Sequence, residues 1–389
     1  MLSFVRFVRF VVKLSFTRLS CGTSQGAWRV RISVTLLANV SSALKERGAP
    51  RLNAMKSLLL RLAATSLPVL VPALVAAAAP PPLVYGNMAG ADLGVDANLN
   101  GAVSFPADNA WNTDISAAPV DPNSANLIAS IGLTTGLHPD FGAGTYANAI
   151  IGIPYVIVSS SQAPVVIHLK AYRSQSDPGP YPVPPDAPIE GSKPGGGTFG
   201  GDRHVLVIDK DSNRLYEMYH AHPKPDGSWR ADAGAIFHLD SDDVRPTAKP
   251  GWTSADAAGL PIFPGLARYE EAAAGLIPHA LRFTVATTRR AYILPANHYA
   301  STQTSPNLPP MGMRVRLKAS YQIPAGFSPE TRTILQALKT YGMMVADNGS
   351  NWFISGAPDD RWNNSRLVGE LGQVAGSNFE VVKMGVIHK

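Results

Sequence analysis

GGDRHVLVIDKDSNRLYEMYHAHP, residues 200–223, has the pattern of a β-hairpin. Two runs of β-prone residues, 205–208 and 215–219, flank the polar segment 209–213, whose Asp, Ser and Asn side chains are typical of a turn. The residues at the open end of this hairpin include a histidine, a carboxylate and a tyrosine, which are the groups that acid–base chemistry needs.

The register of the hairpin decides which side chains lie together. If the turn centres on residues 211–212, His204 lies opposite Tyr219 and Leu206 lies opposite Glu217. Because side chains alternate between the two faces of a strand, His204, Glu217 and Tyr219 then share one face. A register shifted by one residue would place His204 and Glu217 on opposite faces.

A long loop precedes the hairpin. Residues 176–201 are so rich in Pro and Gly that neither a strand nor a helix is expected there. Because the loop leads directly into the hairpin, it can fold over the His204 face and bring Glu190, Asp186 or Tyr181 to it. Long ordered loops in compact domains are often functional.

The N-terminal part predicts export. Residues 55–79 combine a basic start at Lys56 and Arg61 with an apolar run and small residues near position 79, which is typical of a secretory signal. The predicted organisation has four parts: a non-native N-terminal extension at 1–54, the signal peptide at 55–79, a flexible linker at 80–104, and a single secreted domain at 105–389.

The charge of the chain changes once the signal is set aside. The whole chain has a formal net charge of +6, but residues 1–79 hold eleven Lys or Arg and one acidic residue, which leaves 23 basic and 27 acidic residues in the rest. The basic pI is therefore no argument for a nucleic-acid partner. No later run reaches the roughly 18 apolar residues of a membrane span. We expect a secreted or periplasmic protein without membrane contact after signal cleavage.

The remaining pattern predicts the fold class. Short strand-like runs recur along the chain, and two amphipathic helices are expected near the C-terminus, one after the Ser328-Pro329 start and one after Asp359. This pattern favours an α+β, β-rich single domain with a largely antiparallel sheet or barrel and a few helices.

Common catalytic motifs are missing from the predicted secreted domain. Residues 105–389 contain no GxSxG elbow, no P-loop, no HExxH, no CxxC and no GxGxxG that follows a strand. The function must therefore be inferred from individual residues, and no cofactor is expected.

The first hypothesis is acid–base catalysis. His204 and Glu217 would be central, and Asp202, Glu190 and Tyr219 would support them. A carboxylate near an imidazole raises its pKa and fixes its tautomer, which suits hydrolysis or β-elimination of a glycan. The alternatives are a non-catalytic glycan-binding or cell-surface protein and, third, a metal-dependent hydrolase.

The metal alternative uses a different set of partners. His204 and Glu217 would bind a metal ion together with His279 or His298, leaving one coordination position open. The structural alternative is that His204 is a hydrogen-bonded histidine at a strand edge and Glu217 a solvated residue. The pair His220 and His222 can chelate only if the strand continues past Tyr219.

Substrate contacts are expected from loop residues. Tyr181 and Trp252 lie in segments rich in Gly and Pro, where flat rings are available to stack on sugars, and Arg203 adjoins the predicted site. The partner would be a polysaccharide or oligosaccharide. Asp256 is interpreted as a helix-start residue, with a carboxylate facing the cleft as the functional alternative, and Asp347 as part of a hairpin turn.

Four blocks carry a resemblance to known proteins. They are GDRHVLVID at 201–209, GWTSADAAGLPIFPG at 251–265, NLPPMGMRVRLKAS at 307–320 and LKTYGMMVADNGSNWFISGAPDDRW at 338–362. They resemble secreted bacterial proteins of unassigned function over residues 105–383. The resemblance implies export and a single domain, and it implies nothing about mechanism.

Overall fold

The computed structural model describes the backbone of residues 11–18 and 28–35, and residues 81–193, 200–245 and 251–389 in full. The chain divides into two compact units, 1–77 and 78–389. In the first unit, β1 (Val11–Arg18) and β2 (Trp28–Thr35) form an antiparallel pair. The predicted signal peptide lies outside the described residues.

The second unit carries the remaining described strands and helices. In chain order its strands are β3 (Val84–Tyr85), β4 (Gly94–Val95), β5 (Ala102–Val103), β6 (His138–Asp140), β7 (Thr145–Tyr146), β8 (Ala149–Ile150), β9 (Tyr155–Val158), β10 (Ile167–Leu169), β11 (Val205–Asp209), β12 (Arg214–Tyr219), β13 (His222–Pro223), β14 (Trp229–Ala231), β15 (Ala233–His238), β16 (Leu281–Val285), β17 (Arg314–Leu317), β18 (Met343–Asn348), β19 (Phe353–Ser355) and β20 (Phe379–Val381). Its α-helices are α1 (Ser124–Ile131), α2 (Tyr269–Ala274), α3 (Pro329–Thr340) and α4 (Asn364–Leu371).

The fold class is α+β, as the sequence predicts, and most strand pairs are antiparallel. One larger sheet has the order β15-β12-β11-β9-β4, and the other has the order β20-β17-β18-β16-β19-β6. Both sheets are open. A smaller sheet has the order β10-β14-β13.

The predicted register of the β11–β12 hairpin is confirmed. Leu206 pairs with Glu217, and Val205 pairs with Met218. The side chains on the two faces of the hairpin pack in two different hydrophobic cores. Leu206, Ile208 and Leu215 pack in the main core, and Val205, Val207 and Met218 pack in a second core beside Trp229.

A bulge in the second large sheet shapes the surroundings of the hairpin. β16 runs parallel to β18, and the register shifts between Phe283 and Thr284, so that Ala346 has no partner residue on β16. The Ala346 carbonyl instead accepts a hydrogen bond from the backbone N–H of Ala258 at 2.9 Å. The loop that contains Ala258 is thereby fixed against the end of β18.

Residues 81–103 are part of the folded unit, although the sequence predicts a flexible linker there. Met88 and Leu99 are buried in the main core. The backbone N–H of Met88 donates to the Asn213 side chain at 2.7 Å, and the Asp96 carboxylate accepts from the backbone N–H of Tyr155 at 3.0 Å. The compact unit therefore begins before the predicted boundary at residue 105.

The two predicted C-terminal helices are present as α3 and α4. The Ser328 hydroxyl accepts from the backbone N–H of Thr331 and so caps α3. Glu370 on α4 accepts from the backbone N–H of Ser328 at 2.9 Å, which ties the two helices together. Within the residues that the structure describes, no helix is both long enough and apolar enough to cross a bilayer.

Candidate active site

A small polar cavity lies at the open end of the β11–β12 hairpin. Its volume is about 240 Å³. The residues that line it are Tyr172, Asp202, Tyr219, Thr253, Ser254, Ala255, Asp256, Ala257, His298, Ala300, Asp347 and Asn348. The wall therefore contains three aspartates and two tyrosines, and among these described residues there is no Lys or Arg.

Five separate parts of the chain contribute to this cavity. The segment after β10 supplies Tyr172, and the hairpin supplies Asp202 and Tyr219. The loop after β15 supplies Asp256, the end of β18 supplies Asp347, and the segment before β17 supplies His298. The His298 ring contacts the Ala257 carbonyl through Nδ1 at 2.7 Å, and so holds its segment against the Asp256 loop.

The backbone turns sharply where the hairpin opens. Arg203 and His220 both adopt left-handed backbone conformations, with φ of 52° and 53°. The two chain segments stay hydrogen-bonded to each other at this point, because the backbone N–H of His220 donates to the Asp202 carbonyl at 2.8 Å. This conformation is uncommon for residues other than Gly, Asn and Asp. These two residues end the regular alternation of side chains along the hairpin strands at the point where Asp202 and Tyr219 reach the cavity.

His204 is a buried link between the hairpin and two loops. Its Nδ1 lies 2.5 Å from the Glu190 carboxylate, and its Nε2 lies 3.0 Å from the Ala255 carbonyl oxygen. Burial alone would lower the pKa of His204, but the Glu190 carboxylate outweighs burial and raises it to about 9. His204 is therefore an imidazolium that donates on both sides near neutral pH. Neither ring nitrogen is available to accept a proton from a substrate.

The predicted docking of the proline-rich loop onto His204 is confirmed at Glu190. Besides the side-chain contact, the backbone N–H of Glu190 donates to the His204 carbonyl at 2.9 Å. Burial would raise the pKa of Glu190, but the charge and hydrogen bonds of His204 lower it overall. The two residues form a charge-assisted pair that fixes the loop to the hairpin.

Glu217 lies beneath the cavity and does not line it. Its side chain shares the main-core face with Leu206, and the residue is fully buried. The carboxylate accepts from the backbone N–H of Ile262 and from that of Phe263, each at 2.9 Å. Burial raises the pKa of Glu217 to about 7, although both hydrogen bonds lower it. Glu217 thus anchors the loop that carries Asp256.

Asp256 is a buried carboxyl group in the cavity wall. The residue is 1% exposed, and its Oδ1 accepts from Arg282 Nη2 at 2.8 Å. Its Oδ2 has no hydrogen-bond partner among the described residues. Burial raises the pKa of Asp256 to about 7, against the opposing effect of Arg282, and the negative charge of Asp347 raises it further.

Arg282 connects Asp256 to the second large sheet. The residue lies on β16, is 4% exposed, and donates from Nη1 to the Ser355 hydroxyl at 2.6 Å. Burial raises the pKa of Asp347, and Arg282 again opposes the effect. A buried guanidinium thus lies behind two carboxyl groups of the cavity wall and limits how far their pKa values rise.

The proposed metal ligands are not assembled into one centre. In the described part of the chain, no group of three or more His, Cys, Asp and Glu side chains is arranged to hold a metal ion. His279 is buried elsewhere, with Nε2 at 2.7 Å from Arg268 and 3.2 Å from Glu271. His298 lines the cavity, but Glu217 does not.

The predicted substrate-binding residues occupy different positions. Tyr181 is fully buried in the second core, and its hydroxyl donates to the Asp177 carbonyl at 2.7 Å. Trp252 packs against the guanidinium of Arg245, which lies 5.4 Å from its ring centroid. Arg203 is buried and donates from Nε to the Ala221 carbonyl. None of these three residues lines the cavity, where Tyr172 and Tyr219 are the aromatic rings.

A larger cleft of about 540 Å³ lies beside β15, but none of the described side chains that line it has a buried polar atom without a hydrogen-bond partner. Arg245 forms an ion pair with Asp177 there, and the Asp242 carboxylate accepts from the Asn109 side chain at 2.8 Å. The cavity at the hairpin differs because an oxygen of Asp256 lacks a partner. We therefore place the candidate site at the smaller cavity.

Of the residues predicted from the sequence, Asp202 and Tyr219 lie in the cavity wall. The predicted residues His204 and Glu190 lie directly behind that wall. Sequence reasoning considered Asp256 as a carboxylate facing the cleft only as the alternative to a helix-start role, and it assigned no functional role to Asp347 and Arg282. The only sequence signal for Asp256 and Asp347 was that each lies in a polar turn next to a predicted strand or helix, which a structural role explains equally well.

Comparisons of the chain with protein-family models, with curated proteins and with solved structures found no match.

Proposed function

We propose that this chain is a secreted carbohydrate-active enzyme that cleaves a glycan by acid–base catalysis in the cavity at the hairpin. The observation that carries the proposal is Asp256, a carboxyl group in the cavity wall with a pKa raised to about 7 and one oxygen without a partner. A carboxylic acid that keeps its proton near neutral pH is suited to protonate a leaving group.

Asp202 would be the second catalytic carboxylate. It is exposed to solvent, whereas Asp256 is buried, so the two groups have the contrasting environments that separate an acid from a base. Asp256 Oδ2 is buried in the free protein, so substrate binding would have to expose it. Asp256 would then donate the proton on Oδ2 to the glycosidic oxygen, because Oδ1 already accepts from Arg282. Asp202 would activate the attacking water or attack the sugar carbon itself.

The other residues would position these two groups. The Glu190–His204 pair holds the Ala255 carbonyl, which precedes Asp256 in the chain, and Glu217 holds the far end of the same loop. Asp347 and Tyr219 would contact the substrate from the remaining walls. His204 and Glu217, which the sequence places at the centre of the chemistry, are positioning residues in this proposal.

The residues that line the cavity favour hydrolysis over β-elimination. A lyase acting on a uronic acid has to neutralise the carboxylate of its substrate, and the described residues that line the cavity include no Lys or Arg. Two carboxyl groups with different environments are what glycoside hydrolysis requires. The volume of about 240 Å³ is below the ~300–1,000 Å³ of most ligand pockets, so the cavity would hold one terminal sugar unit.

The experiment is a polysaccharide and oligosaccharide screen with the purified mature protein. Product would be detected both as new reducing ends and as the absorbance of unsaturated sugars, which separates hydrolysis from elimination. On an active substrate, Asp256→Asn and Asp202→Asn should each lower kcat by about 10²–10⁴-fold. The matched control is Asp360→Asn, an exposed aspartate outside the cavity.

The alternatives give different results in the same screen. Saturable glycan binding without any product would support a non-catalytic binding protein. Activity that survives both Asp variants would refute the assigned site. Activity that is lost after chelation and restored by added metal would support the metal-dependent hydrolase.

A further inference from the structure

A basic cluster follows the cavity residues in the chain. Arg203 comes directly after Asp202, and His220 comes directly after Tyr219. His222 then lies on β13, in the small sheet whose order is β10-β14-β13. The active-site proposal uses none of these side chains.

Three of the basic side chains form a row across that small sheet. Arg230 on β14 pairs with His168 on β10 and with His222 on β13. Residues opposite each other in neighbouring strands share a face. The adjacent residues Ile167 and Trp229 are buried in the second core, so the row lies on the outer face of the sheet.

Arg203 adds a buried guanidinium to the cluster. It is only 6% exposed, and its Nε donates to the Ala221 carbonyl at 3.0 Å. The backbone N–H of Ala221, which directly precedes His222, also donates to the Arg203 carbonyl at 3.2 Å, so Arg203 lies beside the row. Burial lowers the pKa of Arg203, and the positive charge of Arg230 lowers it further. In the described part of the chain, neither arginine forms an ion pair with a carboxylate. Such a buried cation is costly unless an anion accompanies it.

His222 provides a second unsatisfied group. Its Nε2 is buried and has no hydrogen-bond partner among the described residues. Its ring centroid lies 4.7 Å from that of His220. The acidic residue in this cluster is Asp232, whose carboxylate is 2.7 Å from His220 Nδ1 and is therefore already engaged. Two arginines and a buried imidazole nitrogen thus share one acidic neighbour.

We propose that Arg203, Arg230 and His222 form a binding site for a tetrahedral oxyanion, either a free sulfate or phosphate ion or the same group as an ester on a larger ligand. Guanidinium groups bind such oxygens through paired hydrogen bonds, and the anion compensates the charge of a buried arginine. His222 contributes Nε2 as a further donor. This site is separate from the acidic cavity and does not depend on the proposed enzymatic activity.

The test is calorimetric titration of the full-length protein with inorganic sulfate and with inorganic phosphate at low ionic strength, with acetate for comparison. Sulfate or phosphate should bind saturably and more tightly than acetate. Arg230→Gln, on the outer face, should weaken binding at least about tenfold. Arg332→Gln, an exposed arginine on α3, should leave it unchanged. Dextran sulfate and unsulfated dextran distinguish an ester ligand from a free ion.

The pH dependence gives an independent readout. Burial lowers the pKa of His222, and the charges of Arg203, Arg230 and His220 lower it further, while Asp232 opposes them. A bound oxyanion should raise the His222 pKa, so affinity should increase as the pH falls, and NMR should show the shift at His222. Absence of saturable binding, equal binding of acetate, or unchanged affinity in folded Arg230→Gln would overturn the proposal.

Discussion

Glu217 and Asp256 are both fully buried carboxyl groups, and burial raises the pKa of each to about 7, yet they are held in opposite ways. Glu217 accepts from two backbone N–H groups and lies beneath the cavity. Asp256 lines the cavity, has a single cationic partner, and keeps one oxygen unpaired. Burial and a raised pKa therefore do not by themselves identify a catalytic carboxyl group. A position in the wall and an unsatisfied oxygen distinguish Asp256.

Removal of Arg282 should separate the two carboxyl groups most clearly, because Arg282 forms an ion pair with Asp256 and not with Glu217. Arg282→Met should lower the free energy of unfolding by about 3–5 kcal/mol at pH 8, because it leaves a buried carboxylate without its partner. Asp256 can avoid this cost by protonation. Since the variant raises the folded-state pKa of Asp256 above about 7, the loss should be present at pH 8 and shrink as the pH falls toward 5.

Urea unfolding of Arg282→Met at both pH values measures this difference. Arg332→Met, which changes an exposed arginine on α3, should stay within about 0.5 kcal/mol of the wild type at each pH. An equal loss at pH 5 and pH 8 would show that Asp256 does not titrate in response to Arg282.

Removing the Glu217 side chain tests the other of the two buried carboxyl groups. Glu217→Ala should lower the free energy of unfolding by about 2–4 kcal/mol, because two buried backbone N–H groups lose their acceptor. Glu217→Gln should cost less, since a carbonyl oxygen at the Oε1 position can still accept from both backbone N–H groups. At a temperature where the variants are folded, kcat of Glu217→Gln should stay within about tenfold of the wild type. A loss comparable with that of Asp256→Asn would return Glu217 to a catalytic role.

A pH profile sharpens the role of Asp256. A general acid has to be protonated to act, and the pKa of Asp256 is about 7, so kcat/KM should fall as the pH rises above 7, by up to tenfold per pH unit. Initial rates on the best substrate between pH 5 and 9, with stability checked at each pH, measure this limb. Activity that is constant to pH 9 would exclude Asp256 as the proton donor.

The parts of the fold that sequence predicts are those that local patterns control. The turn at 209–213 sets the register of the hairpin, and the dense prolines at 176–201 mark the loop that brings Glu190 to His204. Both features depend on neighbouring residues. The α+β class follows in the same way from short strands and capped helices.

The contacts that make the site are not local. Arg282 meets Asp256 across 26 positions of chain and Ser355 across 73, and no periodicity encodes such pairs. A loop aromatic such as Tyr181 has the same sequence context whether it is exposed or buried. The sequence predicts a catalytic role for Glu217 because the alternation of side chains along a strand shows which face of the hairpin it lies on. Alternation does not show whether that face borders a cavity or the core at residue 217.

The smallest expected effect concerns the Glu190–His204 pair, which supports the loop of Asp256 from the side opposite to Glu217. Glu190→Gln removes the negative charge that keeps the pKa of His204 at about 9, against the lowering effect of burial. The His204 pKa should therefore fall, as measured by NMR. Since the ordinary pKa is about 6.5 for histidine and about 4.5 for glutamate, the pair stabilises the fold fully between about pH 4.5 and 6.5. This stabilisation is lost as the pH rises through 9, and also as it falls through the lowered pKa of Glu190.

Glu190→Gln should accordingly lower the free energy of unfolding by about 1–2 kcal/mol at pH 6, and the difference from the wild type should diminish toward pH 9. The matched control is Asp186→Asn, an exposed carboxylate in the same loop, which should have no such pH-dependent effect. Because Ala255 is held by His204, kcat should decrease several-fold in Glu190→Gln even where the variant is fully folded. An unchanged His204 pKa would contradict the pairing, and an unchanged kcat would show that Glu217 alone positions the Asp256 loop.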